Sequence, residues 1–272
     1  MSITGMPRSR SGLATLVVAA LLMAASTAGA QAALGTAQSF GVLGASTVTN
    51  TGATTITGNL GVSPGTSITG GATITLISGT EHVADGVAAQ AQADATTAYN
   101  MFAGLPYTTD LTGMDLGGMT LTPGVYFFES SAQLTGNLFL DFLGDPSSIF
   151  VFRIGSTLTT ASASSVIERN GGPANGVYWD VGSSATLGTT TSFAGSILAQ
   201  QSITLTTGAS ILCGRAIALN GAVTMDNNVV STECLGAVTA TPEPATLALL
   251  ATGLIGMLGA ATRRRPRARA LA

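Results

Sequence analysis

The chain has 272 residues, of which 46% are hydrophobic and only 8% are charged, and it contains no lysine. This balance excludes intrinsic disorder, which requires low hydrophobicity and high net charge. Between the two predicted terminal segments described below, residues 33–241 carry three arginines against twelve acidic residues, a net charge of −9. A surface of that sign does not attract phosphates, so nucleic acid is excluded as a partner.

The N-terminus has the layout of a secretory signal peptide. Arg8 and Arg10 precede an uncharged apolar run over residues 13–25, and small residues follow at Ala28-Gly29-Ala30 and Ala30-Gln31-Ala32. A charged start, a short apolar middle and a small-x-small exit predict a signal peptide over residues 1–32. The apolar run is too short to span a bilayer comfortably, so we predict export rather than an N-terminal anchor.

The next region, residues 33–236, is predicted to be a single all-β domain built from internal repeats. Three related segments, Ala185-Thr186-Leu187, Ile203-Thr204-Leu205 and Val223-Thr224-Met225, place their threonines 18 and then 20 residues apart. Near the N-terminus, Ala53-Thr54 and Ala72-Thr73 are 19 residues apart. A period of this length predicts coils of a parallel β-solenoid with a triangular cross-section. Strand alternation then places Leu187, Leu205 and Met225 inside and the three threonines outside.

One segment departs from this pattern and predicts a long α-helix. Residues 81–103 carry small or aromatic residues at alternating steps of four and three, namely Ala84, Ala88, Ala91, Ala95, Ala98 and Phe102. Ser78 and Glu81 have capping-box spacing, while Gly104 and Pro106 supply a stop. Because an alanine stripe allows close approach, we expect the helix to pack alongside the solenoid.

Cys213 and Cys234 are the only cysteines. In an oxidising compartment, two cysteines predict a disulfide. Their separation of 21 residues is close to one coil, so the bond should join adjacent coils and hold the C-terminal end of the solenoid.

The C-terminal segment, residues 237–272, resembles the PEP-type sorting signal of Gram-negative bacteria. Pro242-Glu243-Pro244 is followed by an uncharged segment over residues 245–262 and an arginine cluster over residues 263–269. The resemblance implies transient passage of this segment through the inner membrane, recognition by an exosortase-like enzyme, and attachment to or release from the cell surface. A plain C-terminal anchor is the alternative, and both interpretations place the central domain outside the cytoplasm.

Nothing in the sequence predicts a catalytic site, a metal site or a cofactor, although enzymes that cleave polysaccharides also use β-solenoids. The single histidine, His82, is expected on the surface of the helix rather than as a general base. Asp141 and Asp145 are expected to hold a turn. Asp226-Asn227-Asn228 lacks the alternating ligand pattern of a calcium loop.

The central domain resembles the microbial ice-binding domain. The resemblance rests on residues 39–70, 121–126, 144–152 and 191–228, in that order along the chain. It implies an irregular right-handed parallel β-solenoid with one helix packed alongside, and a flat threonine-rich face that adsorbs to ice. It also implies that the protein is not an enzyme.

The family's ice face often carries a Thr-(Ala/Gly)-x-(Thr/Asn) corner. Thr51-Gly52-Ala53-Thr54 fits this pattern fully, Thr207-Gly208-Ala209-Ser210 fits with serine in the last place, and Thr189-Thr190-Thr191-Ser192 departs at two positions. The ice-binding residues implied are Thr51, Thr54, Thr189, Thr191, Ser192, Thr204, Thr206, Thr207 and Ser210. The alternative is an adhesive or structural surface solenoid with an exopolysaccharide as its partner. A polysaccharide-binding site should show exposed aromatic rings, whereas an ice-binding face should show unbroken rows of hydroxyl groups.

Overall fold

The computed structural model describes residues 31–145, 147–171 and 176–234. The signal peptide predicted over residues 1–32, apart from its last two residues, and the sorting tail predicted over residues 237–272 lie outside the described residues.

Short strands occupy most of the described chain, with one α-helix, α1 (Gly86–Ala103), and a 3₁₀ segment at Gln31–Ser39. In chain order the strands are β1 (Phe40–Gly44), β2 (Thr47–Thr51), β3 (Thr54–Thr57), β4 (Asn59–Val62), β5 (Ser67–Thr69), β6 (Ile74–Ile77), β7 (Glu81–Val83), β8 (Thr109–Asp110), β9 (Thr120–Leu121), β10 (Gly124–Phe128), β11 (Ala132–Leu134), β12 (Asn137–Asp141), β13 (Ile149–Ile154), β14 (Leu158–Thr160), β15 (Ser165–Arg169), β16 (Gly176–Val181), β17 (Ala185–Leu187), β18 (Ser192–Ala199), β19 (Ile203–Leu205), β20 (Ser210–Ala218), β21 (Val223–Asp226) and β22 (Val229–Ser231).

The chain winds repeatedly through three parallel sheets, which confirms the predicted β-solenoid. The threonine sheet runs in the spatial order β5-β2-β21-β19-β17-β14-β11. The second sheet contains β6, β3, β22, β15, β12 and β9, and the helix-covered sheet contains β7, β4, β1, β16, β13, β10 and β8. Strands β18 and β20 bend at a corner, so their first halves lie in the second sheet and their second halves in the helix-covered sheet.

The order of coils in space differs from their order along the chain. Strands β1, β2 and β3 pair with β20, β21 and β22, so the N-terminal coils stack directly on the C-terminal coil. One end of the stack is therefore formed by β5, β6 and β7, and the other by β8, β9 and β11. The prediction that the C-terminal coil forms an end of the solenoid is wrong, because that coil lies in the interior of the stack.

The core inside the solenoid follows the predicted alternation. Leu187, Leu205 and Met225 align on neighbouring strands and are buried. Aromatic rings fill the wider part of the core, where Phe152 and Trp179 stack with their ring centres 3.9 Å apart. The Trp179 indole N–H donates to the Ala194 carbonyl at 3.0 Å, which satisfies its only polar atom inside the core.

Helix α1 packs its alanine stripe against the helix-covered sheet, as predicted. Ala88, Ala91, Ala95, Ala98 and Phe102 are buried there. The predicted start at residue 81 is wrong, because Glu81–Val83 forms β7 and pairs with β4. The cap is supplied by Asp85, whose carboxylate accepts from the Ala88 backbone N–H at 2.8 Å, and not by Ser78 and Glu81.

The predicted disulfide joins Cys213 and Cys234, with the two Cα atoms 4.1 Å apart. Cys213 lies at the bend of β20, the corner between the second and helix-covered sheets. This corner is opposite the threonine sheet. Among the described residues, no helix is long and apolar enough to cross a membrane.

Candidate functional site

A straight row of threonines runs along the middle of the threonine sheet. Strand pairing aligns six of them on six consecutive coils, in the order Thr69, Thr49, Thr224, Thr204, Thr186 and Thr159. Five of them lie between two inward-facing residues, and Thr69, the last residue of β5, follows the inward-facing Ile68, so all six side chains point outward. Gln133 ends the row on β11.

Neighbouring positions in this row are separated by the distance between parallel strands, about 4.8 Å. Threonine is β-branched, so its side chain has few rotamers, and the hydroxyl and methyl groups repeat in a nearly fixed arrangement. The result is a regular array of alternating polar and apolar groups on a sheet surface.

A second row follows the corner between the threonine sheet and the second sheet. Backbone hydrogen bonds connect consecutive coils here, from Asn227 N–H to the Thr51 carbonyl at 2.9 Å, from Gly208 to Asp226 at 3.1 Å and from Thr190 to Thr207 at 3.0 Å. Thr51, Asp226, Thr207 and Thr189 are thereby stacked. Asp226 interrupts the hydroxyls of this row, and its carboxylate accepts a hydrogen bond from the Thr207 hydroxyl.

Two of the predicted ice-binding residues are buried, and we correct both assignments. Thr54 is 1% exposed, and its hydroxyl donates to Asn50 Oδ1 at 2.6 Å and accepts from the Asn228 N–H at 3.1 Å. Thr191 is fully buried, and its hydroxyl lies 2.8 Å from that of Thr160. The chain turns sharply at these corners, with φ values of 76° at Gly52 and 56° at Thr190, and Thr54 and Thr191 point inward and satisfy the turn.

The other predicted residues fall into two groups. Thr51, Thr189, Thr204, Thr206 and Thr207 lie on the threonine sheet or its corner and are exposed or half-buried. Ser192 and Ser210 are paired neighbours in the second sheet, so they face a different direction.

Five threonines of the central row are not among the predicted ice-binding residues. The repeat predicts that Thr186 and Thr224 face outward. Both could have been predicted as ice-binding residues by taking the outward threonine of every repeat. Thr159 is harder to predict, because its coil does not follow the regular period of the later repeats. Thr49 and Thr69 join the row because the N-terminal coils stack on β21, and no local pattern signals that contact.

Charge is scarce on the threonine sheet. Asp226 is the only charged residue in its seven strands. The three arginines of the described chain lie elsewhere: Arg153 and Arg215 are in strands of the helix-covered sheet, and Arg169 in the second sheet packs over the Phe139 ring at 3.8 Å.

The residues considered for catalysis or metal binding have structural partners. His82 lies in β7, not on the helix, and its ring nitrogens are 2.8 Å from the Asp85 carboxylate and 2.9 Å from the Thr80 hydroxyl. Asp141 and Asp145 accept from the backbone N–H groups of Leu143 and Ser147, both at 2.9 Å, so they hold a turn as predicted. These hydrogen bonds lower the pKa of both carboxyl groups, that of Asp141 chiefly through Asn170. Within the described ranges no group of three or more histidine, cysteine or acidic residues could hold a metal ion.

The fold and this face define a parallel β-solenoid that presents a rigid, nearly uncharged threonine sheet. Residues 42–231 match the Ice-binding-like family, and the chain belongs to that family. Residues 240–265 match the PEP-CTERM protein-sorting motif.

Relatives and solved structures agree with this membership. An ice-binding protein of Nostoc sp. (strain HG1) is 59% identical over 235 residues, which cover 85% of this chain and 87% of the relative. The crystal structure of an ice binding protein from an Antarctic biological consortium has 49% identity and a TM-score of 0.69, covering 73% of this chain and 89% of that one. The crystal structure of an ice-binding protein from the Antarctic ascomycete Antarctomyces psychrotrophicus has 43% identity and a TM-score of 0.68, covering 74% of this chain and 97% of that one.

Proposed function

We propose that this protein adsorbs to ice through its threonine sheet and thereby limits ice growth or recrystallisation. The observation that carries the proposal is the central row of six outward threonines, aligned strand by strand and free of charge. Membership of the Ice-binding-like family and the named ice-binding relatives support it.

The mechanism follows from the geometry of the row. Methyl groups at fixed spacing order the water next to them, and the hydroxyls between them hold that water by hydrogen bonds. Since the sheet and its β-branched side chains are already rigid, little conformational entropy remains to be lost when this water layer joins an ice lattice. A charged group would orient water around itself, so the lack of charge in the row favours the same outcome.

The test places a bulky side chain in the middle of the row. Thr204 has threonine neighbours on both sides, Thr186 and Thr224, so Thr204→Tyr breaks the flat array at its centre. We expect at least a tenfold loss of ice recrystallisation inhibition and thermal hysteresis. Thr97→Tyr is the matched control, because Thr97 is exposed on helix α1, away from the threonine sheet.

Equal activity of Thr204→Tyr and wild type would exclude the threonine sheet as the ice-binding surface. A folded wild-type domain without any effect on ice would instead favour the alternative function, an adhesive or structural solenoid of the cell surface or extracellular matrix.

The PEP-CTERM motif supports export to the cell surface or extracellular space. We infer more specifically that an exosortase-like enzyme of a Gram-negative bacterium processes the tail after it passes transiently through the inner membrane. Because Cys234 is bonded to the corner opposite the threonine sheet, tethering at that corner would leave the sheet accessible. Family membership supports a binding function rather than an enzymatic one.

A further inference from the structure

A cleft of about 300 Å³ lies between the C-terminal half of helix α1 and the helix-covered sheet. The helix contributes Tyr99 and Ala103, and the sheet contributes Phe127, Arg153 and Asp180, together with neighbouring backbone at Ile154, Gly155 and Gly182. This cleft is on a different face from the threonine sheet, and the function proposed above does not use it.

Asp180 is an unusual residue for this position. It points outward from β16 between Arg153 and Leu198 of the adjacent strands, yet it is only 3% exposed because the helix covers it. Its Oδ1 atom has no hydrogen-bond partner. A buried carboxylate oxygen without a partner is costly, so a group that enters the cleft and donates a hydrogen bond to it would lower this cost.

Arg153 supplies the complementary group. Its Nη1 donates to the Leu105 carbonyl just beyond the helix, and its guanidinium lies 5.5 Å from the centre of the Phe127 ring. Its Nε is buried and has no partner. Arg153 and Asp180 form no ion pair with each other, although their strands are in register. The cleft therefore holds one unmet acceptor and one unmet donor.

Hydroxyl groups can satisfy both kinds of atom, because each hydroxyl donates one hydrogen bond and accepts others. Tyr99 adds an aromatic wall, which suits the C–H face of a sugar ring, whereas the Phe127 ring is stacked on Tyr107 with the ring centres 4.9 Å apart. Arg153 and Asp180 carry opposite charges when Asp180 is ionised, and burial raises the pKa of Asp180 to about 7, so the site gives no strong attraction to a highly charged ligand. We propose that this cleft binds a single neutral sugar residue, with Asp180 accepting from and Arg153 donating to its hydroxyls.

The proposal is tested with the methyl glycosides of glucose, galactose and mannose. Each is titrated into the ¹⁵N-labelled domain, and the backbone amides of Gly155 and Gly182 report on the cleft. We expect saturable shifts for at least one glycoside, with a dissociation constant of roughly 1–10 mM. Asp180→Asn keeps the side-chain shape and removes the buried charge, and it should weaken binding at least tenfold.

Two controls separate this site from the ice-binding surface. Thr204→Tyr should bind the glycoside as wild type does, and Asp180→Asn should retain ice activity, so either function can fail without the other. Arg153→Lys provides a second cleft variant, which keeps the charge and loses the Nε donor.

Two results would overturn the proposal. One is the absence of saturable shifts with all three glycosides up to about 100 mM, a concentration range that covers weak binding. This result would mean that water alone occupies the cleft. The other is glycine shifting the same amides while no glycoside does, since the cleft would then bind a zwitterion and not a sugar.

Discussion

Threonine has two different roles in this protein, and the direction of the side chain decides between them. On the threonine sheet, Thr204 and Thr186 present their hydroxyls to solvent. At the corners, Thr54 and Thr191 turn theirs inward and use them to satisfy buried polar groups. A count of threonines in a coil therefore says little about the ice-binding surface unless the position of each within the coil is known.

The inward role predicts a stability effect for Thr191→Val. Its hydroxyl contacts that of Thr160 at 2.8 Å and the Ala161 carbonyl at 3.2 Å, and the first of these contacts is buried. Removing one partner of a buried hydrogen bond costs about 1–3 kcal/mol. Thr186→Val is the matched control on a half-exposed strand position and should change stability by less than about 0.5 kcal/mol. Urea denaturation measures both; equal effects would show that the Thr191 hydroxyl does not stabilise the corner.

The orientation of residues within strands could be predicted from the sequence, whereas the orientation at corners could not. Alternation has a period of two, so the outward position of Thr186, Thr204 and Thr224 followed directly. At Thr51-Gly52-Ala53-Thr54 the backbone takes a left-handed conformation at Gly52, and the alternation is lost. The motif correctly located the corner, but it implied that both of its threonines face ice.

At the level of secondary structure, helix α1 depends on the small size of its buried residues. Ala88, Ala91, Ala95 and Ala98 are in contact with the helix-covered sheet or the 3₁₀ segment and leave no space for longer side chains. This explains how a helix without a strongly apolar face remains bound to the domain.

We expect Ala95→Leu to destabilise the domain by about 1–3 kcal/mol through overpacking. Ala89→Leu is the matched control, because Ala89 is on the exposed side of the same helix and leucine is nearly as good a helix former as alanine. Thermal denaturation followed by circular dichroism would show the difference. If Ala95→Leu were as stable as the control, the helix would have room to move away from the sheet.

The helix was predictable in its register and its end, but not in its start. The alanine spacing and Gly104 identified the buried face and the C-terminus correctly. Glu81 favours a helix and Val83 favours a strand, so the local preferences conflict, and pairing with β4 places the segment in a strand. That pairing is a tertiary contact, so the local sequence does not indicate it.

In the molecule as a whole, the disulfide lies in the interior of the stack of coils. It joins β20 to the segment after β22, and these strands are flanked by β18 on one side and β3 on the other. Its loss should therefore weaken the whole cooperative unit and not a fraying end.

We expect the double variant Cys213→Ser, Cys234→Ser to remain folded and to lose roughly 3 kcal/mol, the entropic contribution of a loop of this size. In urea, the midpoint should fall and the slope of the transition should rise slightly, because the unfolded chain expands without the crosslink. A smaller slope would indicate that the coil bearing Cys234 unfolds separately, contrary to its interior position.

The fold class, the length of a coil and the inward or outward direction of most strand residues could be predicted, because each follows from a repeated pattern in the local sequence. The order in which coils stack could not. All coils present similar strand edges, so the sequence of any one coil does not determine which other coil it contacts.

The contact between the first and last coils determines when the domain can fold during synthesis. The Asn228 backbone N–H donates to the Thr54 hydroxyl, across 174 residues of sequence. Most solenoids can add coils one after another as the chain emerges. Here the first coils have no partner on one side until the last coil has been made, and contacts of such long range slow folding. The emerging chain should therefore remain incompletely folded until its final coil is available.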